Sequence, residues 1–183
     1  MAKTRYYAAA TLDGYIADES DGIDWLQTYD EGFEGSEESV GDALSSFIEE
    51  IGSLLMGSAT YEFILRHGSS WPYEDRPTWV LTSRELETME GANLRFHSGA
   101  VGEVLDEALE AAGERDLWVV GGGAVASQLE EAGLLDELQV TLVPVVLGSG
   151  KPLFARPPRK PMKLLGTRAF SNGMTELTYA LGR

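Results

Sequence analysis

The chain of 183 residues is 43% apolar and 24% charged, the composition of a globular protein long enough to form one hydrophobic core. Its net charge of −16 would repel the phosphates of a nucleic acid, so no nucleic-acid partner is expected. The chain has no cysteine, which excludes disulfides and thiolate metal sites, and no run of about 20 apolar residues that would span a bilayer. We therefore predict a single domain over residues 1–183. The N-terminus lacks the apolar core of a signal peptide, so the predicted location is the cytoplasm.

The first half of the chain alternates between strand-like and helix-like patterns. Short apolar runs predict strands at residues 5–10, 53–56, 78–82 and 93–97, and helical spacing predicts helices at 40–51 and 58–65. A turn at Asp13-Gly14 and a short apolar piece at 15–17 follow the first strand. The polar, glycine-rich segment 18–39 is predicted to be a loop, with N-caps for the following helix among Ser36–Ser39. A second loop, rich in tryptophan, proline and charge, is predicted at 67–77.

The second half ends in strands without intervening helices. A buried strand is predicted at 116–120 between helices at 101–112 and 124–132, and a β-branched run predicts a strand at 137–146, followed by the loop 147–154. The last two strands, 162–170 and 174–181, are joined by Asn172-Gly173, the strongest short signal for a hairpin. This order predicts an α/β fold with a mostly parallel central sheet flanked by helices and an antiparallel C-terminal hairpin.

Three consecutive glycines, Gly121, Gly122 and Gly123, connect the predicted strand 116–120 to the helix that follows. Glycine permits a positive φ and the close approach of a ligand, and the helix N-terminus supplies free N–H groups and the positive end of a dipole. An anionic ligand such as a pyrophosphate suits this turn, and a tight crossing of helix over strand is the alternative. A standard Rossmann domain is not expected, because the glycines are contiguous and lie late in the chain.

Three motifs then occur in an order that is characteristic of a family. Residues 10–17 read A-T-L-D-G-Y-I-A, residues 55–62 read L-M-G-S-A-T-Y-E, and residues 119–154 run from V-V-G-G-G-A to L-G-S-G-K-P-L-F. Together they resemble the riboflavin-biosynthesis reductase domain, the C-terminal domain of a bifunctional deaminase-reductase, within the dihydrofolate reductase superfamily. The resemblance implies a dihydrofolate reductase-like fold and an NADPH molecule bound across the carboxyl edge of the sheet.

Carried over position by position, the resemblance assigns cofactor contacts to four groups of residues. Val120, Gly121, Gly122, Gly123 and Ala124 would wrap the pyrophosphate and the nicotinamide side; Ser58, Ala59 and Thr60 would offer a second helix N-terminus to the diphosphate; Ala9 and Ile16 would line the nicotinamide pocket; Thr82, Ser83 and Arg84 would lie near the adenosine phosphate. The local sequence supports the second group, because Gly57 directly precedes a predicted helix.

Arg84 bears on the choice of cofactor. A guanidinium that follows Thr-Ser at the end of a strand suits a 2′-phosphate in an acidic protein, which favours NADPH over NADH. The alternative is a surface arginine at the start of the acidic segment 85–90.

On the substrate side, Asp30 follows Trp25 by five positions. In dihydrofolate reductases a buried carboxylate at this spacing holds the pterin ring, so the resemblance makes Asp30 the candidate catalytic and substrate-binding carboxylate. Trp25 and Phe33 would form walls for a flat heterocycle. The alternatives are a solvated loop carboxylate and aromatic side chains that simply pack. No metal site is expected, because His67 and His97 are far apart and have no companion ligands.

These assignments favour an NADPH-dependent reductase that transfers a hydride to a small pterin- or pyrimidine-like heterocycle. One alternative is a riboflavin-pathway 5-amino-6-(5-phosphoribosylamino)uracil reductase, although the loops hold few of the cations that a ribosyl phosphate would require. The other is a non-catalytic nucleotide-binding module. The family resemblance also implies a homodimer, with residues 140–147 and the following loop as a candidate surface. The acidity fits either a high-salt cytoplasm or an ordinary acidic protein.

Overall fold

A computed structural model describes residues 2–30 and 39–182, apart from the side chains of Thr28 and Asp30. The strands are β1 (Thr4–Thr11), β2 (Tyr15–Ala17), β3 (Ile51–Gly57), β4 (Thr78–Leu81), β5 (Leu94–His97), β6 (Asp116–Val120), β7 (Glu137–Val143), β8 (Lys151–Pro152), β9 (Lys163–Ala169) and β10 (Thr175–Ala180). The helices are α1 (Asp24–Asp30), α2 (Val40–Glu49), α3 (Ser58–His67), α4 (Gly102–Ala112) and α5 (Gly123–Glu131).

One large sheet organises the molecule, with its strands in the order β5-β4-β3-β6-β1-β7-β10-β9. The pairs from β5 through to β7 are parallel. Strand β10 runs antiparallel to both of its neighbours, β7 and β9. The predicted mostly parallel sheet with an antiparallel C-terminal hairpin is therefore confirmed.

Helices cover both faces of this sheet, as the side chains of β6 illustrate. Leu117 and Val119 point to one face, where they pack in a core with residues of α4 and α5. Trp118 and Val120 point to the other face and pack in a second core with Phe47 of α2. A parallel strand buried on both faces needs apolar residues at every position, which explains the continuous apolar run in the sequence.

The predicted loop 18–39 was wrong in part, because it contains the helix α1. Trp25, Leu26 and Tyr29 of this helix pack in a cluster that includes Val143. The Tyr29 hydroxyl donates a hydrogen bond of 2.5 Å to the carbonyl of Asn172. A helix of seven residues shows less than two turns of periodicity, and such a helix depends on tertiary packing more than on its own sequence.

The boundaries of the other helices follow local rules. Ser39, one of the predicted N-caps, forms a capping box with Asp42, and its hydroxyl accepts the Asp42 N–H at 3.0 Å. The helix α2 ends at Glu49 because β3 already begins at Ile51. No helix within residues 2–30 and 39–182 is both long and apolar enough to cross a membrane.

The strand predicted at 137–146 ends at Val143, because Pro144 has no N–H to continue the ladder. Residues 140–143 lie inside the sheet between β1 and β10, and the predicted dimer surface at 140–147 stays a prediction. The exposed part of that segment is the loop beyond it, where Val146 is 69% exposed. The predicted loop 147–154 contains β8, which pairs antiparallel with β2.

The carboxyl ends of β1 and β6 open into a crevice. After β1 the chain passes through α1 and α2 to β3, on the far side of β6. After β6 it passes through α5 to β7, on the far side of β1. Adjacent strands whose connections leave in opposite directions create the place where α/β proteins bind ligands.

Candidate functional site

Two cavities of about 410 and 400 Å³ adjoin at this crevice. The first, which we call the β1 cavity, lies beside Ala9 of β1. The second, which we call the β4 cavity, lies beside Leu81 of β4. Ala59, Thr60, Gly122 and Ala124 line both, so the two cavities form one continuous groove along the carboxyl edge of the sheet. Each has the volume of an ordinary ligand pocket.

The glycine turn lies where the two cavities meet. Gly121 and Gly122 have φ angles of 58° and 81°, in the left-handed region that glycine adopts at little cost. The Gly122 carbonyl accepts the N–H groups of Val125 and Ala126 at 3.0 and 3.2 Å and so begins α5. The N–H groups of Gly123 and Ala124, the first two residues of the helix, have no partner inside the helix, and such groups can bind an anion.

Gly123 requires glycine for a different reason, because the chain packs against itself there. A Cβ at this position would lie 2.4 Å from the carbonyl oxygen of Pro152 and 2.8 Å from that of Leu153. The Gly123 carbonyl also accepts the Ala155 N–H at 3.1 Å. The sequence left open whether this turn serves a ligand or a tight crossing of helix over strand. Gly121 and Gly122 set the turn, Gly123 also admits the 152–155 backbone, and all three line the β1 cavity, so their contact with a ligand stays a prediction.

A second helix N-terminus faces the same groove. Gly57 is the N-cap of α3, and Ser58, Ala59 and Thr60, which the resemblance assigns to the diphosphate, line the β4 cavity. A Cβ on Gly121 would lie 3.1 Å from the Thr60 hydroxyl, so the two helix starts approach each other closely. Both helix dipoles therefore direct their positive ends toward the junction of the cavities.

Hydroxyl side chains line the β4 cavity beyond Leu81, and a paired arginine follows them in the chain. Thr82 and Ser83 line this cavity. The Arg84 guanidinium, 56% exposed, makes two hydrogen bonds to the Glu62 carboxylate at 2.6 and 3.0 Å and a third to the Ser58 hydroxyl at 3.0 Å. These bonds lower the pKa of the Glu62 carboxyl and raise that of Arg84. The guanidinium of Arg84 is thus already paired with a carboxylate, and its contact with a phosphate stays a prediction.

Apolar groups form most of the wall of the β1 cavity. Ala9 and Ile16, which the resemblance assigns to a nicotinamide pocket, line it together with Ile23, Leu26 and Phe63, and their contact with a nicotinamide stays a prediction. The sequence motifs did not point to these last three residues. Ile23 and Leu26 belong to the segment that was predicted to be a loop, and Phe63 lies in α3 beyond the quoted motif 55–62.

Two of the described residues that line the β1 cavity carry a formal charge. The carboxylate of Asp21 and the ammonium group of Lys151 are 3.7 Å apart. Lys151 lies within the quoted motif that ends at Phe154, so that motif could have pointed to it. No local pattern distinguishes Asp21 from the acidic residues around it.

The residues predicted for the substrate are placed less fully. The Trp25 side chain packs against the cluster that contains Val143 and Phe170. The backbone of Asp30 ends α1, but the Asp30 side chain and the whole of Phe33 lie outside the described residues. Their roles stay predictions. The Val120 side chain is buried with Tyr7 and Phe47, so a contact with a cofactor falls to its backbone.

The two histidines have local partners. The His67 ring stacks on Phe63, with the centroids 4.3 Å apart. The His97 Nε2 atom lies 3.1 Å from a carboxylate oxygen of Glu103. Among the side chains that the structure describes, no three His, Cys, Asp or Glu residues gather in a way that could hold a metal ion.

The sheet topology and the glycine turn at the β1–β6 crevice define a dihydrofolate reductase-like fold. A dihydrofolate reductase from Enterococcus faecalis, solved with NADP(H), matches with a TM-score of 0.66 at 20% identity, over 99% of this chain and 97% of that chain. The family model of the RibD C-terminal domain matches residues 66–175, and the chain belongs to that family. The family predicted from the sequence motifs is therefore confirmed.

Two further relatives cover almost the whole chain. The uncharacterized protein YwjB of Bacillus subtilis (strain 168) is 31% identical over 173 residues, which are 94% of this chain and 94% of YwjB. The crystal structure of a putative riboflavin biosynthesis protein from Shewanella sp. PV-4 matches over 100% of both chains, with a TM-score of 0.80 and 27% identity.

Proposed function

We propose that this chain is an NADPH-dependent reductase that transfers a hydride to a small heterocycle of the pterin or pyrimidine type. The observation that carries the proposal is the groove at the β1–β6 crevice, on which two helix N-termini and a glycine turn with positive φ angles converge. The family and the NADP(H)-bound dihydrofolate reductase of the same fold support it. The volumes of the two adjoining cavities suit the two halves of a dinucleotide.

The residues of the groove fit this ligand in three sections. The turn at Gly121 and Gly122, with the starts of α3 and α5, would hold the diphosphate through backbone N–H groups. Ala9 and Ile16 would pack against the nicotinamide ring and exclude water from it. A bound nicotinamide supplies the hydride itself, so the protein has to orient two rings and does not need an ionisable group for that transfer.

Thermal unfolding of the purified chain with NADPH, with NADH and without nucleotide tests the proposal. At about 100 times its Kd, a nucleotide that binds only the folded state stabilises it by about 2.7 kcal/mol, which raises Tm by about 5–10 °C for a chain of this size. We expect this rise with NADPH and a smaller one with NADH. No rise with either would contradict the proposal. A rise without loss of cofactor absorbance on a panel of pterins and pyrimidines would favour the non-catalytic nucleotide-binding module.

A second candidate is the riboflavin-pathway reduction of 5-amino-6-(5-phosphoribosylamino)uracil. Membership of the RibD C-terminal domain family favours it. Turnover of that ribosyl phosphate, in preference to unphosphorylated heterocycles, would distinguish it from the first candidate.

Arg84→Ala is expected to weaken NADPH binding by about tenfold while the affinity for NADH changes by less than about twofold, because only NADPH carries the 2′-phosphate that a guanidinium would contact. Titration of both dinucleotides against the variant measures the ratio. The matched control is Arg66→Ala, which removes an exposed arginine from the end of the neighbouring helix α3. Equal losses for the two dinucleotides would show that Arg84 acts only through its bonds to Glu62 and Ser58.

A further inference from the structure

Asp21 is held in an uncommon backbone conformation at the rim of the β1 cavity. Its φ is 65°, in the left-handed region where non-glycine residues are rare. The Asp18 carboxylate fixes this turn, since one oxygen accepts the N–H groups of Ser20 and Gly22 at 2.7 and 2.8 Å. The Asp18 N–H donates to the Gly22 carbonyl at 2.9 Å. Such strained residues persist where their surroundings determine them, and they cluster at functional sites.

Lys151 reaches the same rim from the other end of the chain. It lies on β8, opposite Ala17 of β2. Gly150 lets the two segments approach, because a Cβ there would lie 2.3 Å from the Ala17 carbonyl oxygen. Asp13 ties the adjoining turns together by accepting the Gly148 N–H at 2.7 Å. Two short segments with several backbone ties thus fix where Asp21 and Lys151 meet.

The two charges remain available to a ligand. Their side chains are 39% and 47% exposed, and their separation of 3.7 Å makes a loose pair. The pair is neutral as a unit, and the remaining described wall of the cavity is mostly apolar. A carboxylate accepts an N–H and an ammonium group donates to a carbonyl, so the pair is complementary to a ring N–H next to a ring C=O. A phosphate would be attracted by the Lys151 ammonium group but repelled by the Asp21 carboxylate beside it.

We propose that Asp21 and Lys151 bind the lactam edge of a neutral heterocycle in the β1 cavity, Asp21 accepting the ring N–H and Lys151 donating to the adjacent carbonyl. This assignment rests on the proposed function and narrows its substrate class. It selects unphosphorylated oxo-pyrimidine or pterin rings over a ribosyl phosphate, and it places the substrate carboxylate on the 18–22 turn.

Binding of lumazine, a fluorescent pteridine with two lactam groups, tests the assignment. The chain of 183 residues is titrated with lumazine and with 1,3-dimethyllumazine, whose ring nitrogens carry no hydrogen, each with and without NADPH. We expect the dimethyl compound to bind about tenfold more weakly, as the loss of a charge-assisted hydrogen bond predicts. Asp21→Asn, whose side chain tolerates the left-handed backbone, and Lys151→Met should each weaken lumazine binding by about tenfold.

Two control variants each remove a charge of the same sign as one of the test variants, at an exposed position. Glu19→Gln changes the carboxylate next to Ser20 in the same loop, and Lys163→Met changes a lysine on β9. Both should leave lumazine affinity within about twofold of the wild type. Ribose 5-phosphate, as the phosphate probe, should fail to displace lumazine from the wild type and should begin to displace it from Asp21→Asn.

The outcomes separate this assignment from the proposed function. Equal affinity for the two lumazines, no lumazine binding, or indifference to both substitutions would overturn the assignment, and normal stabilisation by NADPH in that case would leave the proposed function standing. Lumazine binding that depends on both residues, in a protein that no dinucleotide stabilises, would support the assignment and defeat the proposed function.

Discussion

Gly122→Val is expected to abolish dinucleotide binding, with a loss of about a hundredfold or more in affinity. Gly122 lines both cavities, between the starts of α3 and α5, and its Cβ position lies 3.8 Å from the Thr60 hydroxyl and from a Val125 methyl group. A branched side chain there would fill the space where a diphosphate has to approach the N–H groups. Titration of the folded variant with NADPH measures the loss.

The positive φ of 81° at Gly122 also strains any side chain, at about 1–2 kcal/mol, so a matched control is needed. Gly133→Val provides it, because Gly133 has a φ of 70° and no atom lies within 4 Å of its Cβ position. We expect both variants to lose similar stability and only Gly122→Val to lose the nucleotide. Wild-type affinity in a folded Gly122→Val protein would show that the turn serves the fold alone.

Gly123→Ala is expected to lower the free energy of unfolding by about 3 kcal/mol, the upper part of the range for overpacking. The new methyl group would lie 2.4 and 2.8 Å from two backbone carbonyl oxygens. Neither the methyl group nor a backbone oxygen can relieve this contact by rotating about a side-chain bond. Either α5 or the 152–155 segment must move. Urea denaturation of the two proteins measures the difference.

Gly102→Ala is the matched control for that substitution, because Gly102 and Gly123 are both the first residues of helices. A Cβ on Gly102 would make an ordinary contact of 3.7 Å with Leu134. Since alanine is favoured over glycine in a helix by up to about 1 kcal/mol, the control should be neutral or slightly stabilising. Similar effects of the two substitutions would contradict the close approach at Gly123.

The main elements of the fold could be predicted because their signals are local. The continuous apolar run of β6 reflects burial on both faces, and the Asn172-Gly173 pair forms the predicted turn, with a φ of 86° at Gly173. The helix α1 and the two-residue strand β8 could not be predicted, because each is too short for a period and depends on partners elsewhere in the chain.

The candidate site likewise contains residues that a local sequence pattern marks and residues that no local pattern marks. The glycine turn and the Ser58–Thr60 helix start carry local signatures, and the structure brings them together as the resemblance implied. Asp21 and Lys151 lie close together because β2 pairs with β8. The local sequence around neither residue predicts this pairing. The resemblance led instead to Asp30, because Asp30 follows Trp25 at the spacing found in dihydrofolate reductases. The role of Asp30 is still a prediction.

The position of β1 between β6 and β7 affects when this strand can pair during synthesis. Thr4 pairs with Leu117 and Arg5 with Glu137, so β1 leaves the ribosome before its two partner strands, which are made more than a hundred residues later. At about 5–20 residues per second that delay lasts several seconds, during which an apolar strand edge is unpaired. Pairings between such distant residues also slow folding, because the long intervening loop has to close first. The β1 cavity is complete only after β8 has been synthesised, because Lys151 and Pro152 belong to its wall.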